Sequence, residues 1–486
     1  MEIRVKEIAQ AARGSLLCGD SLTPLRHISI DSRAMRGDDL FVPLIGEKND
    51  AHRFIGQAME NGAAAALTSR HETAPKGFTG ALIRVEDTKA ALQAIGAYIR
   101  RRLCIPLVGI TGSVGKTTTR EMTAAALSAA FRTFKTPANH NSQVGVPITI
   151  SEIGRDDEIG VLELGMSEPG EMEVIARLAA VDAAVFTNIG VTHIENLGSR
   201  ERILEEKLHI QDGMKPGGAV FLNADNDLLK TARIREDLRV ITYGTGPDAD
   251  YRAEEIRSEG GFASFILAHG SARTPVRLGV MGEHNISNAL AALAVADSFG
   301  VSPEQAAAGL SRFTGFEGRQ QVETAGGVTV IDDTYNASPD SMKAGLRVLS
   351  SFEGGRRIAV LADMKELGPD APRFHREIGI FLQNQPVEEL ITYGELAAEI
   401  AAAAAEAPPA GIGSGADPAR DADAGNCVSR MARAGQGVHT KCFKEGEMDA
   451  LLCYLEGLLQ EGDTVLFKGS HSMGLGAAAA RFKEKR

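Results

Sequence analysis

Thr111-Gly112-Ser113-Val114-Gly115-Lys116-Thr117-Thr118 follows the apolar run from Ile105 to Ile110 and precedes an Ala-rich segment, Arg120 to Phe131, that reads as a helix. A glycine loop between a strand and a helix is the context that makes such a stretch a phosphate site. Its glycines let backbone N–H groups approach a polyphosphate, and the helix N-terminus adds partial positive charge. Gly112, Ser113, Val114, Gly115, Lys116, Thr117 and Thr118 are therefore expected to cradle a nucleoside triphosphate. Lys116 reaches the terminal phosphates, and the Thr117 hydroxyl suits a magnesium ion. The usual P-loop has a glycine five residues before Gly115, and here that position is Ile110. A plain tight turn before a helix is the competing reading, and the Gly-Lys-Thr-Thr run weighs against it.

Outward from the loop, 486 residues exceed what one core organises, so several domains are expected. A net charge of −12 without a lysine or arginine run argues against a nucleic-acid partner. No apolar run approaches a membrane span, and the first residues lack an apolar signal core. Cys18, Cys104, Cys427, Cys442 and Cys453 are scattered and odd in number, which suits reduced thiols. The expectation is a cytoplasmic monomer acting on small molecules.

Short β-type runs alternate with helical stretches, so the fold class is α/β with mostly parallel sheets. Three blocks are readable: 1–85, small and mixed α/β; 86–313, a parallel-sheet domain around the P-loop; and 314–486, a second, Rossmann-like open α/β domain. Ala219 to Val280 reads as a β-rich insertion in the second block. Between about 401 and 437, an Ala-rich start continues a helix. Pro408-Pro409 and Gly411-Ile412-Gly413-Ser414-Gly415 then suggest a mobile loop.

Ligands of open α/β sheets gather at the carboxyl ends of strands. Glu163 ends an apolar run and is a candidate magnesium ligand. His193 closes the polar segment Thr187-Asn188-Ile189-Gly190-Val191-Thr192-His193 and can contact metal or phosphate. Lys207, among Glu205, Glu206 and His209, reads from its neighbours alone as a solvated, charge-paired lysine. Asn285 is expected to cap the helix Ala289 to Ser298, and Asn288 to offer its amide to a base edge. In the third block Arg319 can close onto phosphates, and Asp333 and Asn336 follow a strand with groups that suit a ligand, although Asn-x-x-Pro also suits a plain turn.

In order along the chain stand Gly112-x-x-Gly115-Lys116-Thr117-Thr118, Glu163, His193, Glu206-Lys207, Gly282-x-His284-Asn285-x-x-Asn288, Gly318-Arg319 and Asp333-x-Tyr335-Asn336. In this order they resemble the Mur ligases, ATP-dependent amide ligases that build the peptidoglycan stem peptide. Asp31-Ser32-Arg33, Asp333 to Met342, Asp363-Met364-Lys365-Glu366-Leu367-Gly368 with His375, and Lys468 to Met473 are most similar to the members that add D-alanyl-D-alanine.

The resemblance implies UDP-muramoyl-tripeptide and D-Ala-D-Ala as substrates, with ATP and magnesium. It implies that Lys207 is carbamylated and joins Glu163 and His193 around one magnesium ion, with Thr117 on another. It gives Lys116, Lys207 and His193 catalytic roles, Asn288 the adenine, and Arg319, Asp333 and Asn336 other nucleotide contacts. Ser32 and Arg33 fall to the UDP end. Ser142, Ala51, Ala362, His471 and Gly474 depart from the family pattern, the last two near the expected dipeptide site. The rivals are a Mur-type ligase with another amine and a non-catalytic nucleotide-binding module.

Overall fold

The run before the glycine loop becomes the strand Leu107–Thr111, buried along its whole length. Ile110 is fully buried there, so the residue that departs from the usual loop pattern serves the core. In the computed structural model, which describes residues 2–406 and 438–484, this strand lies inside a nine-stranded sheet. On one side it pairs with Ile159–Glu163 and then Thr133–Lys135; on the other with Ala183–Phe186, Ala219–Asn223 and Arg239–Gly244. All these pairings are parallel. The chain leaves Leu107–Thr111 in one direction and later returns to its other flank, so the P-loop stands at the topological switch point.

The helix after the loop spans Lys116–Leu127, about one turn earlier than the Ala-rich composition suggests. Gly115 adopts φ 85° and turns the chain straight into the helix, while Phe131 lies beyond its end. The β-rich insertion is two things. Ala219–Asn223 and Arg239–Gly244 belong to the parallel sheet, whereas Tyr251–Glu259, Phe262–His269 and Ala272–Met281 form an antiparallel meander on its edge. Helices Lys116–Leu127, Asn285–Ser298 and Pro303–Arg312 cover one face of the sheet with an apolar core that includes Met122, Leu290 and Leu310. The other face shares a core with Thr88–Arg102 and with Leu40, Leu67 and Ile83 of the first unit.

That first unit is built on a five-stranded mixed sheet. The third carries a six-stranded sheet, parallel except for Gln321–Ala325 at one edge. Three apolar strands here, Val328–Asp333, Arg357–Ala362 and Thr464–Lys468, lie side by side and are covered on both faces. Their carboxyl ends therefore carry Asp333, Asp363 and Lys468 to one edge. The Ala-rich start near 401 continues the helix Ala397–Ala405, and the loop expected around Pro408 to Gly415, like Cys427, lies outside the described residues. Cys18, Cys104, Cys442 and Cys453 are free thiols.

Candidate active site

The loop is held from behind by the strand beside it. Ser113 N donates to Asn188 O at 2.9 Å and Val114 N to Asn188 Oδ1 at 2.8 Å. Thr187 Oγ1 donates to Val114 O at 2.6 Å. At Gly112, with φ 149°, a Cβ would fall 1.9 Å from Thr187 Oγ1; at Gly115 it would fall 2.7 Å from Asn288 Oδ1. Neither position accepts a side chain, so loop packing by itself requires both glycines. Lys116 Nζ donates to Gly112 O at 2.8 Å, folded over its own loop. Desolvation pulls the Lys116 ammonium below its ordinary pKa against the opposing pull of Glu163 and Glu366.

Glu163 ends its strand with its carboxylate buried. Arg120 Nη1 donates to Oε2 at 3.1 Å and Asn141 Nδ2 to Oε1 at 2.8 Å. Sequence reading missed both partners. Arg120 reads only as the start of a helical segment, and nothing local in the sequence singles out Asn141.

Lys207 overturns the solvated reading: it is 1% exposed, with no hydrogen bond or ion pair among the described residues. Desolvation, helped by nearby Lys116, drives its pKa well below the ordinary lysine value, and Glu206 opposes this. Glu206 is occupied elsewhere. Its carboxylate accepts from Gly170 N and Met172 N, each at 2.9 Å, and so caps the helix Glu171–Ala179.

His193 adopts φ 65°, and its Nδ1 lies 2.6 Å from Glu366 of the third unit. The two atoms are close, but the approach lies off the axis of a linear hydrogen bond, and Nδ1 is buried without a hydrogen-bond partner. His193 lowers the Glu366 pKa.

Asn285 does not cap. The helix starts at Asn285 itself, after His284. Asn285 Nδ2 donates to Met281 O at 2.8 Å, and its Oδ1 accepts from Asn288 Nδ2 at 2.9 Å. Asn288 Oδ1 accepts from Thr119 at 3.0 Å. Asn288 is thus buried behind Gly115, with one amide proton and one carbonyl lone pair uncommitted.

The third unit reaches the loop directly. Arg319 Nη2 donates to Thr117 Oγ1 at 3.4 Å, its guanidinium lies 4.2 Å from the Tyr335 ring centroid, and its buried Nε has no partner. Asp333 pairs with Lys468 Nζ at 2.7 Å inside the fold, and the same ammonium donates to Asn336 O at 3.2 Å. Asn336 is exposed and accepts from Ala337 N. Lys468 belongs to a stretch already similar to the family, yet its ion pair spans 135 residues of sequence and left no local signal.

Ser32 and Arg33 lie apart from the loop. Ser32 Oγ donates to Gln57 at 3.0 Å, while exposed Arg33 forks onto Asp31 at 2.9 Å through both Nε and Nη2. Their neighbours Asp31 and Ala34 line a cleft of about 410 Å³ that continues to Asn139, His140 and Ser142 of the central unit. Among the described residues, no three His, Cys, Asp or Glu side chains gather as a metal site. A magnesium set would need Thr117 and Lys207 as well.

Family models match the chain in three successive stretches: the Mur ligase family catalytic domain at 24–100, the Mur ligase middle domain at 110–296, and the Mur ligase glutamate ligase domain at 318–471. The UDP-N-acetylmuramoyl-tripeptide–D-alanyl-D-alanine ligase of Bacillus subtilis is 40% identical over 82% of this chain and 86% of its own length. The enzyme of the same name from Synechocystis is 35% identical over 94% and 92%. A crystal structure of MurF from Acinetobacter baumannii superposes with a TM-score of 0.84 at 29% identity, covering 100% of this chain and 99% of that one. MurF from Thermotoga maritima in complex with ADP gives 0.77 at 26% identity, covering 95% and 97%. With this fold, this loop and these relatives, the chain belongs to the Mur ligase family.

Proposed function

We propose that this ligase joins D-alanyl-D-alanine to UDP-N-acetylmuramoyl-tripeptide, driven by ATP, in peptidoglycan precursor synthesis. The reading rests on relatives of that name along most of the chain. The observation that carries catalysis over mere nucleotide binding is the contact of Arg319 with Thr117, which brings a second unit onto the P-loop. The units 1–85, 86–313 and 314–486 are assigned to the UDP end, to ATP and to ligation. Ser32 and Arg33 serve the UDP end from the rim of the cleft. The enzyme acts as a cytoplasmic monomer, and among the described residues no helix is long and apolar enough to cross a membrane.

The terminal carboxylate of the tripeptide attacks the γ-phosphorus of ATP, the bond to the β-phosphate oxygen breaks, ADP leaves and an acyl phosphate forms. The dipeptide amine, as the free base, attacks the acyl carbon, inorganic phosphate leaves, and the amide nitrogen gives up a proton to solvent. Lys116 and Arg319 neutralise charge on the transferring phosphoryl group. Asn288 uses its uncommitted amide groups for adenine, and Asp333 and Asn336 contact the nucleotide from the third unit. Thr117, Glu163, His193 and a carbamylated Lys207 would hold magnesium, which supplies further charge neutralisation.

The residues fit that role. Burial and the nearby Lys116 push the Lys207 amine toward its neutral form, the form that reacts with CO2. Each Glu163 oxygen accepts one protein hydrogen bond and keeps a lone pair.

The test is phosphate release from ATP and magnesium with UDP-muramoyl-tripeptide, adding D-Ala-D-Ala, L-Lys, meso-diaminopimelate or no amine. Turnover that needs D-Ala-D-Ala and yields a pentapeptide product is expected. Turnover with another amine would move the substrate, and none with any amine would overturn the assignment.

A further inference from the structure

The segment Asp363-Met364-Lys365-Glu366-Leu367-Gly368 leaves the strand Arg357–Ala362 and has no role in the reaction as described so far. Nearly all of it is tied down. Asp363 Oδ1 accepts from Ala397 N at 2.7 Å, and Lys365 Nζ donates to Asp363 Oδ2 at 3.1 Å. Met364 N donates to His375 Nε2 at 2.9 Å, and the His375 ring is itself held by Ala371 O at 2.7 Å. Lys365 N donates to Ser470 Oγ at 2.9 Å, and Ser470 N to Asp363 O at 3.1 Å. Met364 and Leu367 are buried.

Glu366 is the exception. Its side chain is 53% exposed, its backbone sits at φ 64°, and its Oε2 lies 2.6 Å from His193 Nδ1. His193 is also held at positive φ, 65°. Two side-chain-bearing residues in a sparsely populated backbone region thus meet across two units, and such strain persists only where the surroundings impose it. An ordinary surface contact would need no such frame. Nothing in the described protein hydrogen-bonds to His193 Nε2.

We propose that Glu366 is a positioning residue: when the third unit closes, its carboxylate holds the His193 imidazole by the Nδ1 edge and leaves Nε2 for the magnesium ion. Metal-bound histidines generally give their second nitrogen to a carboxylate or carbonyl, which fixes ring orientation and tautomer. Here that partner comes from another unit, so closure and metal binding are coupled. The inference rests on His193 being a magnesium ligand.

The experiment is Mn2+ binding to the full chain, read by electron paramagnetic resonance, with a non-hydrolysable ATP analogue and UDP-muramoyl-tripeptide. Glu366→Ala is expected to weaken Mn2+ binding about 10- to 100-fold, and Glu366→Gln, which keeps an acceptor oxygen, by less. The isosteric Gln variant keeps the comparison available if the Ala variant folds poorly. The Glu366→Ala/His193→Ala double variant should bind no more weakly than His193→Ala alone, and the KM for the dipeptide should stay unchanged. Wild-type Mn2+ affinity in Glu366→Ala, or additive losses in the double variant, would overturn the proposal while leaving His193 as a ligand. Wild-type affinity in His193→Ala would overturn the magnesium reading and this inference together.

Discussion

Single side chains carry the chemistry through burial. Lys207 is enclosed with no hydrogen-bond or ion-pair partner among the described residues, and that burial favours its neutral amine, the form the proposed carbamylation needs. Lys207→Arg introduces a fixed cation that cannot form a carbamate, so kcat should fall about 10²- to 10³-fold, the scale of a lost transition-state electrostatic contact. Steady-state rates in CO2-stripped buffer check this: wild type should lose activity and regain it with bicarbonate, while Lys207→Arg responds to neither. Asp333 and Lys468 form an ion pair with side-chain exposures of 7% and 2%. Lys468→Met would leave a buried carboxylate unpaired, at a cost of about 3–5 kcal/mol. Adding Asp333→Asn should recover much of that, and urea unfolding of both variants measures it.

At the scale of elements, helix ends and helix contacts place the loop. The helix Pro303–Arg312 packs on Lys116–Leu127 at Gly309, where a Cβ would stand 2.4 Å from Ala125 O. Gly309→Ala must push the P-loop helix away. It should cost about 1–3 kcal/mol and raise the KM for ATP, measured by thermal unfolding and ATP titration. Glu206 satisfies two N–H groups at the start of Glu171–Ala179. Glu206→Ala strips both and removes a charge that favours a helix N-terminus, so about 2 kcal/mol should be lost in the same unfolding assay.

At the scale of the whole molecule, the proposed ligand groups are divided between units that touch. Arg319 on Thr117 and Glu366 on His193 describe a closed arrangement. Solution scattering should show compaction when an ATP analogue and the muramoyl substrate bind, and Arg319→Ala should reduce it; equal radii with and without ligands would refute closure. The strands, the parallel sheets and the glycine loop were legible in the sequence because they follow from local pattern: apolar runs, helical periodicity, and glycines where side chains cannot fit. The order of the motifs likewise pointed to the family. The helix after the loop was misplaced by a turn because its start depends on the backbone of Gly115, not on alanine content. Asn285 failed as a cap because its amide is used by Met281 and Asn288. What the sequence by itself determined is the α/β class, the glycine loop between strand and helix, and the family, since each rests on residues close together or in a set order. Tertiary structure alone decided the burial of Lys207, the Asp333–Lys468 pair and the meeting of Glu366 with His193. Desolvation and ion pairing depend on distance in space, and these partners are brought together by sheets whose strands are far apart in the chain.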